Sequence, residues 1–342
     1  MKTLRQLGEL ALLRQLTRTL PSRPDVLAGT GHDVAVVAGT AQHDLLLKSD
    51  AIVQGRHFLA QTPPRQIGHK ALARALSDLA AAGGEPLWAL INLVVPRTEK
   101  NTRLLALYRG LAALAHHHHI AIVGGDTTEG PTLELHVFVA GRAPHGTVRL
   151  RSGAQPGDTL FVTGALGGSL RGKHLRFAPR LAEGQWLRAG RWATAAIDIS
   201  DGLATDLAHI LEMSGVGAEI QTEKIPIAAA AFQGLEKEGS GFSKDWKKGA
   251  RLFPGLGKNH AGFSRAWKQH AALAHALCDG EDFELLFTVP QRKAAALVRA
   301  WRRTFRTRLT PIGVITRHKQ KLVWLSGGRP LPFRGTGYEH FR

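Results

Sequence analysis

Along this chain, short apolar runs rich in branched residues alternate with longer stretches in which apolar positions recur at helical spacing. "HDVAVVAG" (32–39) and "HDLLLKSDAIV" (43–53) predict strands. "PRQIGHKALARALSDLAAAGG" (64–84) predicts a helix that stops at a glycine pair. A strand in "PLWALINLVV", a helix in "EKNTRLLALYRGLAALAHH", and strands in "IAIVGG" and "LELHVFVAGRA" follow. After the turn formers of "LRSGAQPGD" (150–158) a second round begins at "TLFVTGA". It runs through a helix near 179–190, the strand "ATAAIDI", the helix "GLATDLAHILEMS", the strand "FELLFTVP", a helix over 291–303 and strands near 310–316 and 321–325. The pattern is that of an α/β protein.

One region interrupts the rhythm. "GLEKEGSGFSKDWKKGARLFP" (234–254) is echoed by "GLGKNHAGFSRAWKQHAALAH" (255–275), a tandem repeat too short for a solenoid. It is expected to be a duplicated surface loop; the competing reading is a basic, Trp-bearing lid or docking surface.

Length and composition narrow the classes. The 342 residues suffice for two domains, with 44% hydrophobic residues and 38 glycines. No run of about 18 apolar residues suggests a membrane span. The opening "MKTLRQLGELALLRQLTRTL" reads as an ordinary amphipathic helix rather than a secretory signal. A single cysteine, Cys278, rules out a disulfide framework and a cysteine-rich zinc cluster, and points to a reducing, cytoplasmic setting. The formal charge of +18 invites a nucleic-acid reading, but the basic residues are scattered and no nucleic-acid motif accompanies them, so no nucleic acid and no membrane are expected as partners.

The acidic residues carry the chemistry. Asp33, Asp50, Asp78, Asp126, Asp198, Asp201, Glu281 and Asp282 cluster at segment ends, several directly after an apolar strand. One such Asp is a helix cap or turn former about as often as a ligand. A whole series brought together needs cations to offset its repulsion. Oxygen donors without cysteine suit Mg²⁺, which shares its shell with substrate phosphates, so a magnesium nucleotide is the expected ligand. In "VGGDTT", Gly124 and Gly125 would let backbone N–H groups approach a phosphate while Asp126 holds the metal. "GGSLRGKH" (167–174) nearly matches a phosphate-binding loop, but His174 stands where Ser or Thr would bind Mg²⁺. His116–His119 at a helix end reads as a charged, solvated terminus, and Cys278 as a buried, inert thiol.

In order and spacing, "GHDVAVV", "SDAIVQGRHF", "IGHKALARALSDLAAAGGEP", "VGGDTTEGP", "RSGAQPGD", "AIDISDGLATDLAHILEMSGVGAEI", "DGEDFELLFTVP" and "GYEHF" resemble thiamine-monophosphate kinases almost end to end. The resemblance implies an aminoimidazole ribonucleotide synthetase-like α/β (α+β) fold of two domains. Residues 1–149 would form a dimerising N-terminal ATP- and Mg²⁺-binding domain, and 150–342 an α/β C-terminal domain with an insertion at 234–275. It implies phosphoryl transfer from ATP to thiamine monophosphate in a cytoplasmic homodimer that uses several Mg²⁺ ions.

Carried over residue by residue, the resemblance gives Mg²⁺ to Asp33, Ser49, Asp50, Asp78, Asp126, Asp198 and Asp201, with catalysis resting chiefly on Asp50, Asp126 and Asp198. Gly125, Arg151 and Ser200 would touch the nucleotide; His57, Glu281 and Tyr338 would touch thiamine monophosphate. Asp206 is expected to be structural. The chain departs from the family pattern at His32, at Lys48 where a small hydroxyl residue is common, and at Asp279-Gly280. The competing functions are another ATP-using enzyme of the superfamily, or a nucleotide-binding regulatory protein that has lost catalysis.

Overall fold

The computed structural model describes residues 3, 6, 9–18, 20–233, 265–333 and 335. Two compact units divide the chain: Pro24–Leu150 with Gly172–Arg191, and Met1–Arg23 with Arg151–Arg171 and Trp192–Arg342.

The first unit is built on a seven-stranded sheet. Its strands are β1 (Val26–Ala28), β2 (Ala35–Ala38), β3 (His43–Val53), β4 (Glu85–Val95), β5 (Ala121–Gly124), β6 (Thr127–Glu129) and β7 (Glu134–Pro144). The order is β1-β2-β3-β7-β4-β5, with β6 also on β4. β3 and β4 flank β7 antiparallel, while β5 and β6 run parallel to β4. Alternation along the strands buries Leu46, Ile52, Ile91, Leu93, Leu135 and Val137 on one face.

Helix α2 (Pro64–Ala82) packs against that face; helix α1 (Glu9–Thr17) belongs to the other unit. Proline at the start of α2 suits the first helical turn, and Gly83 ends the helix in the left-handed region (φ 72°). Helix α3 (Asn101–His117) crosses α2 closely: a Cβ on Gly68 would lie 2.0 Å from the Leu107 carbonyl oxygen, and one on Gly110 2.0 Å from that of Arg65. Helix α4 (Leu181–Ala189) also packs on α2, and the Arg188 Nε–H donates to the Gly83 carbonyl at 2.7 Å. This docking groups 172–191 with the N-terminal residues rather than with the rest of 150–342. The opposite sheet face exposes Trp88, Leu90 and Val123.

The second unit has its own seven-stranded sheet, ordered β14-β13-β10-β12-β8-β11-β9. These are β8 (Thr159–Thr163), β9 (Ala195–Asp198), β10 (Gly217–Gln221), β11 (Leu285–Val289), β12 (Leu309–Thr316), β13 (Leu322–Ser326) and β14 (Arg329–Pro330). β8 and β11 are buried on both faces, which is why they read as unbroken apolar runs. Toward one side Leu160, Val162 and Leu286 join Leu207 and Ile210 of helix α5 (Leu203–Ser214) and Leu277 of helix α6 (Arg265–Cys278). Toward the other, Phe161 stacks on Phe287 (5.8 Å between ring centroids), and Phe287 on Trp301 of helix α7 (Gln291–Thr304) (6.4 Å).

Helix α6 corrects the surface-loop reading at the described end of the second copy alone: residues 265–275 are helical, and Leu273 and Ala274 lie in the core. Residues 234–264, with the first copy and Trp246, lie outside the described residues.

The α2–α3 crossing makes a stability prediction. Gly68→Ala should destabilise the chain by about 2 kcal/mol or more, since backbone must move to admit the methyl group. Gly29→Ala, whose Cβ would meet only Val26 at 3.7 Å, should stay within about 0.5 kcal/mol of the parent. Equal midpoints for the two variants in urea unfolding would refute the tight crossing.

Candidate active site

In the first unit the site grows from one buried helix and one strand. α2 carries Lys70, Arg74 and Asp78 at four-residue spacing, which stacks them on one helix face. β3 presents Lys48 and Asp50 two residues apart, on the strand face that also carries the buried Leu46 and Ile52. The two rows match: Lys48 Nζ donates to Asp78 Oδ1 at 2.7 Å, and Arg74 Nε to Asp50 Oδ2 at 3.0 Å. Lys70, fully buried, donates from Nζ to the His57 carbonyl at 2.6 Å and to His174 Nδ1 at 2.8 Å. His57 in turn accepts the Val53 N–H on Nδ1 at 3.0 Å, which leaves the ring proton on Nε2.

Asp33, in the turn before β2, and Asp78 are both buried, with carboxylate oxygens within 4.8 Å of each other. Two carboxylates so close favour a cation between or beside them. Ser49 differs: period-two alternation turns its side chain to the opposite, exposed side of β3. A Ser49 ligand on the Asp50 side would have to be the backbone carbonyl.

Asp126 lies exposed between β5 and β6, its Oδ1 accepting the Thr127 N–H at 2.8 Å. Its carbonyl accepts the Leu93 N–H at 2.8 Å, which fixes the residue to β4. Gly125 has φ 152°, and a Cβ there would sit 1.9 Å from the Ile91 carbonyl oxygen. The glycine is therefore demanded by close approach to β4, apart from any phosphate.

In the second unit two acidic motifs are stitched together. Buried Asp198 ends β9, and Ser200, Asp201 and Gly202 form the turn into α5. The Glu281 N–H donates to the Ser200 carbonyl at 2.7 Å, and the Ser169 hydroxyl to the Glu281 carbonyl at 2.6 Å. These bonds hold Glu281 at φ 54°, a conformation side chains rarely adopt. Asp282 accepts the Gly167 N–H on both oxygens (2.8 and 3.0 Å), and Glu284 accepts the Thr163 hydroxyl at 2.8 Å. Those two acids are structural.

Asp206 Oδ2 accepts the Asp201 N–H at 3.0 Å. Burial, then the Asp201 and Asp198 carboxylates, push the Asp206 carboxyl well above the usual range, while Arg151 opposes the shift. Arg151 is thus close enough to this acidic turn to act on it. His209, one turn along α5, is lowered to about 4, first by burial and then by Arg151, so it stays neutral.

The first unit therefore gathers Asp33, Asp50 and Asp78 with Lys48, and the second gathers Arg151, Asp198, Ser200, Asp201 and Glu281. Tyr338 lies outside the described residues. Lys70, Arg74 and His209 went unnoticed in the sequence; the Lys70-Arg74-Asp78 spacing inside an otherwise apolar helix was the available signal.

Residues 31–143 match the family model described as AIR synthase related protein, N-terminal domain. The chain is 34% identical over 356 residues to a thiamine-monophosphate kinase of Salmonella typhimurium, covering 98% of each. It is 37% identical over 298 residues to one from Rhodopirellula baltica, covering 84% of this chain and 83% of that one. Among solved structures, AaThiL complexed with AMPPCP and TMP is 28% identical, with a TM-score of 0.77 and 99% of each chain covered.

Of three further motifs, the first braces these groups, through the Gly167 N–H, the Ser169 hydroxyl and His174. "GGSLRGKH" forms two short 3-10 turns, Ser169–Arg171 and Lys173–Leu175, and no α-helix whose N-terminus could hold a phosphate. Cys278 is buried in the core. Within the His116–His119 run, burial, then the neighbouring His117, His69 and His119, lower His118 to about 4, which corrects the expectation of a charged, solvated terminus at that residue.

A histidine with a depressed folded pKa contributes stability above its unfolded value and loses it as pH falls toward the folded one. The window here runs from about 6.5 down to about 4. Half-exposure reduces the effect to about 1 kcal/mol. The thermal midpoint should fall less between pH 7 and pH 4.5 in His118→Asn than in the parent; identical falls would show that His118 takes no part.

Proposed function

We propose, because the chain belongs to the thiamine-monophosphate kinase family, that it transfers the γ-phosphoryl group of ATP directly to thiamine monophosphate, giving ADP and thiamine diphosphate. It is a kinase whose acceptor is itself a phosphate. The observation that carries this reading is the likeness, over nearly the whole of both chains, to AaThiL solved with AMPPCP and TMP.

The acceptor is a phosphate monoester with a second pKa of about 6, so near neutral pH it is already an ionised nucleophile. One of its oxygens bonds to the γ-phosphorus as the bond to the β–γ bridging oxygen breaks, and ADP leaves with that electron pair. No side chain needs to remove a proton. The barrier lies in aligning two polyanions and stabilising charge as it moves to the bridge, so positioning and neutralisation supply the catalysis.

The donor set fits magnesium: hard carboxylate oxygens, with Asp33 and Asp78 buried side by side. Several ions would be held, by Asp33, Ser49 through its carbonyl, Asp50, Asp78 and Asp126 in the first unit and by Asp198 and Asp201 in the second. Mg²⁺ supplies neutralisation of phosphate charge when bound. Arg151 and Ser200 bind the nucleotide, and Gly125 keeps Asp126 close to β4. His57 offers its Nε2–H and Glu281 its carboxylate to thiamine monophosphate, with Tyr338 contributing a ring face to the cationic thiazolium.

The nucleotide-binding and dimerising domain expected at 1–149 corresponds to the unit Pro24–Leu150 with Gly172–Arg191, and the C-terminal domain expected at 150–342 to the other unit. A homodimer is supported by the exposed apolar face of Trp88, Leu90 and Val123. A cytoplasmic setting is supported by the single cysteine; among the described residues no helix is long and apolar enough to cross a membrane.

Purified chain incubated with MgATP and thiamine monophosphate should produce thiamine diphosphate, detected by chromatography. A folded chain that makes none contradicts the reading and favours a regulatory nucleotide-binding role. Asp126→Asn should lower kcat about 100-fold at limiting Mg²⁺. Its thermal midpoint should be unchanged, because the amide oxygen can still accept the Thr127 N–H. Parent-like turnover in this variant would remove Asp126 from the metal set.

A further inference from the structure

We propose that the Lys48 ammonium is a built-in cation of the acidic cluster, filling a position that a chain with a neutral residue at 48 would fill with a divalent ion. The inference rests on the magnesium-dependent reading above and adds to it how many ions this chain takes.

A lysine beside a set of metal-binding carboxylates has two options, solvent or the cluster. Alternation along β3 turns Lys48 toward α2, and its side chain retains only 23% of its exposure. Its Nζ reaches Asp78 Oδ1 at 2.7 Å, a charge-assisted hydrogen bond to a carboxylate side chain only 11% exposed. Asp78 is also the residue whose oxygens lie within 4.8 Å of those of Asp33. The ammonium therefore sits on one of the two buried carboxylates that most need a counter-charge.

Mg²⁺ binds carboxylate oxygens at about 2.0–2.1 Å in near-octahedral geometry and keeps several waters. An ammonium hydrogen-bonded to the same carboxylate takes up part of its acceptor capacity and repels a second cation brought beside it. Both partners are held by regular structure, Lys48 by the β3–β7 ladder and Asp78 by a helix almost wholly buried. Lys48 is thus a positioning residue for Asp78 and a fixed charge, while the remaining carboxylates keep their capacity for metal.

The test counts ions. Mn²⁺ bound per chain is measured by equilibrium dialysis, with free Mn²⁺ read by electron paramagnetic resonance and AMPPCP at saturation. Lys48→Ser should bind one more Mn²⁺ per chain than the parent, and Lys48→Arg, which keeps the charge, the same number as the parent. Lys48→Gln, which keeps much of the stem but not the charge, should also gain one, so a poorly folded Lys48→Ser chain does not decide the outcome. Equal counts in the parent, Ser and Gln chains, or fewer ions in the neutral variants, would overturn the proposal. A parent chain that binds no Mn²⁺ with AMPPCP overturns this proposal and the magnesium reading together. An extra ion in the neutral variants without thiamine diphosphate formation by the parent leaves the proposal standing and removes only the assigned reaction.

Discussion

Three charged residues on a buried helix are the constraint on which the first unit depends. Lys70, Arg74 and Asp78 project from α2 into a region where an unpaired charge would cost several kcal/mol. Each has a partner at a fixed place: the His57 carbonyl, the Asp50 carboxylate and the Lys48 ammonium. A slip of α2 by one helical turn along β3 would set Arg74 against Lys48, and Asp78 would lose its cation. Apolar packing alone tolerates such sliding; the charge ladder does not. The position of Asp78 relative to Asp33 and Asp50 follows from the same register, so the geometry of the acidic cluster is set by ion pairs in which Asp50 and Asp78 themselves take part.

The second unit solves an equivalent problem with hydrogen bonds. Its acidic residues divide into those that hold backbone and those held by it. Asp282 fixes the Gly167 amide, Glu284 the Thr163 hydroxyl and Asp206 the Asp201 amide. Asp198, Asp201 and Glu281 are thereby set at the end of β9 and in the adjoining loop. Burying so many carboxylates is tolerable because nearly every oxygen named has a donor, and because Asp206 shifts toward its neutral form.

Much of this was legible in the sequence. The bounds of β3 and α2 followed from periodicity, proline and the terminal glycine pair, because both elements bury one clear face. β8 and β11 were visible as unbroken apolar runs, although the two-sided burial that causes the pattern was not. β10 was missed because its alternation, Ala218-Glu219-Ile220-Gln221, lasts only four residues directly after a glycine-flanked turn. α6 was missed because its repeat drew attention to duplication, whereas the Ala and Leu residues of its second half enter the core. Within the site, the acidic residues announced themselves at strand ends, but their division of labour needed the third dimension. Asp282 looks like Asp198 in sequence, and only the structure shows its carboxylate taken up by the Gly167 amide. Ser49 and Asp50 are neighbours in sequence and face opposite ways. Lys48 looked like a departure from a metal-binding pattern, and only its bond to Asp78 shows where its charge goes.

The claim that paired charges fix α2 on β3 is tested most directly by a double-mutant cycle on Arg74 and Asp50. Unfolding free energies of the parent, Arg74→Met, Asp50→Asn and the double variant would be measured in urea with EDTA present, so that metal binding does not enter. The account predicts a coupling energy of about 1–2 kcal/mol, with the double variant more stable than the sum of the single losses implies. Additivity within about 0.3 kcal/mol would contradict it, and would mean that the apolar contacts of α2 alone set its register.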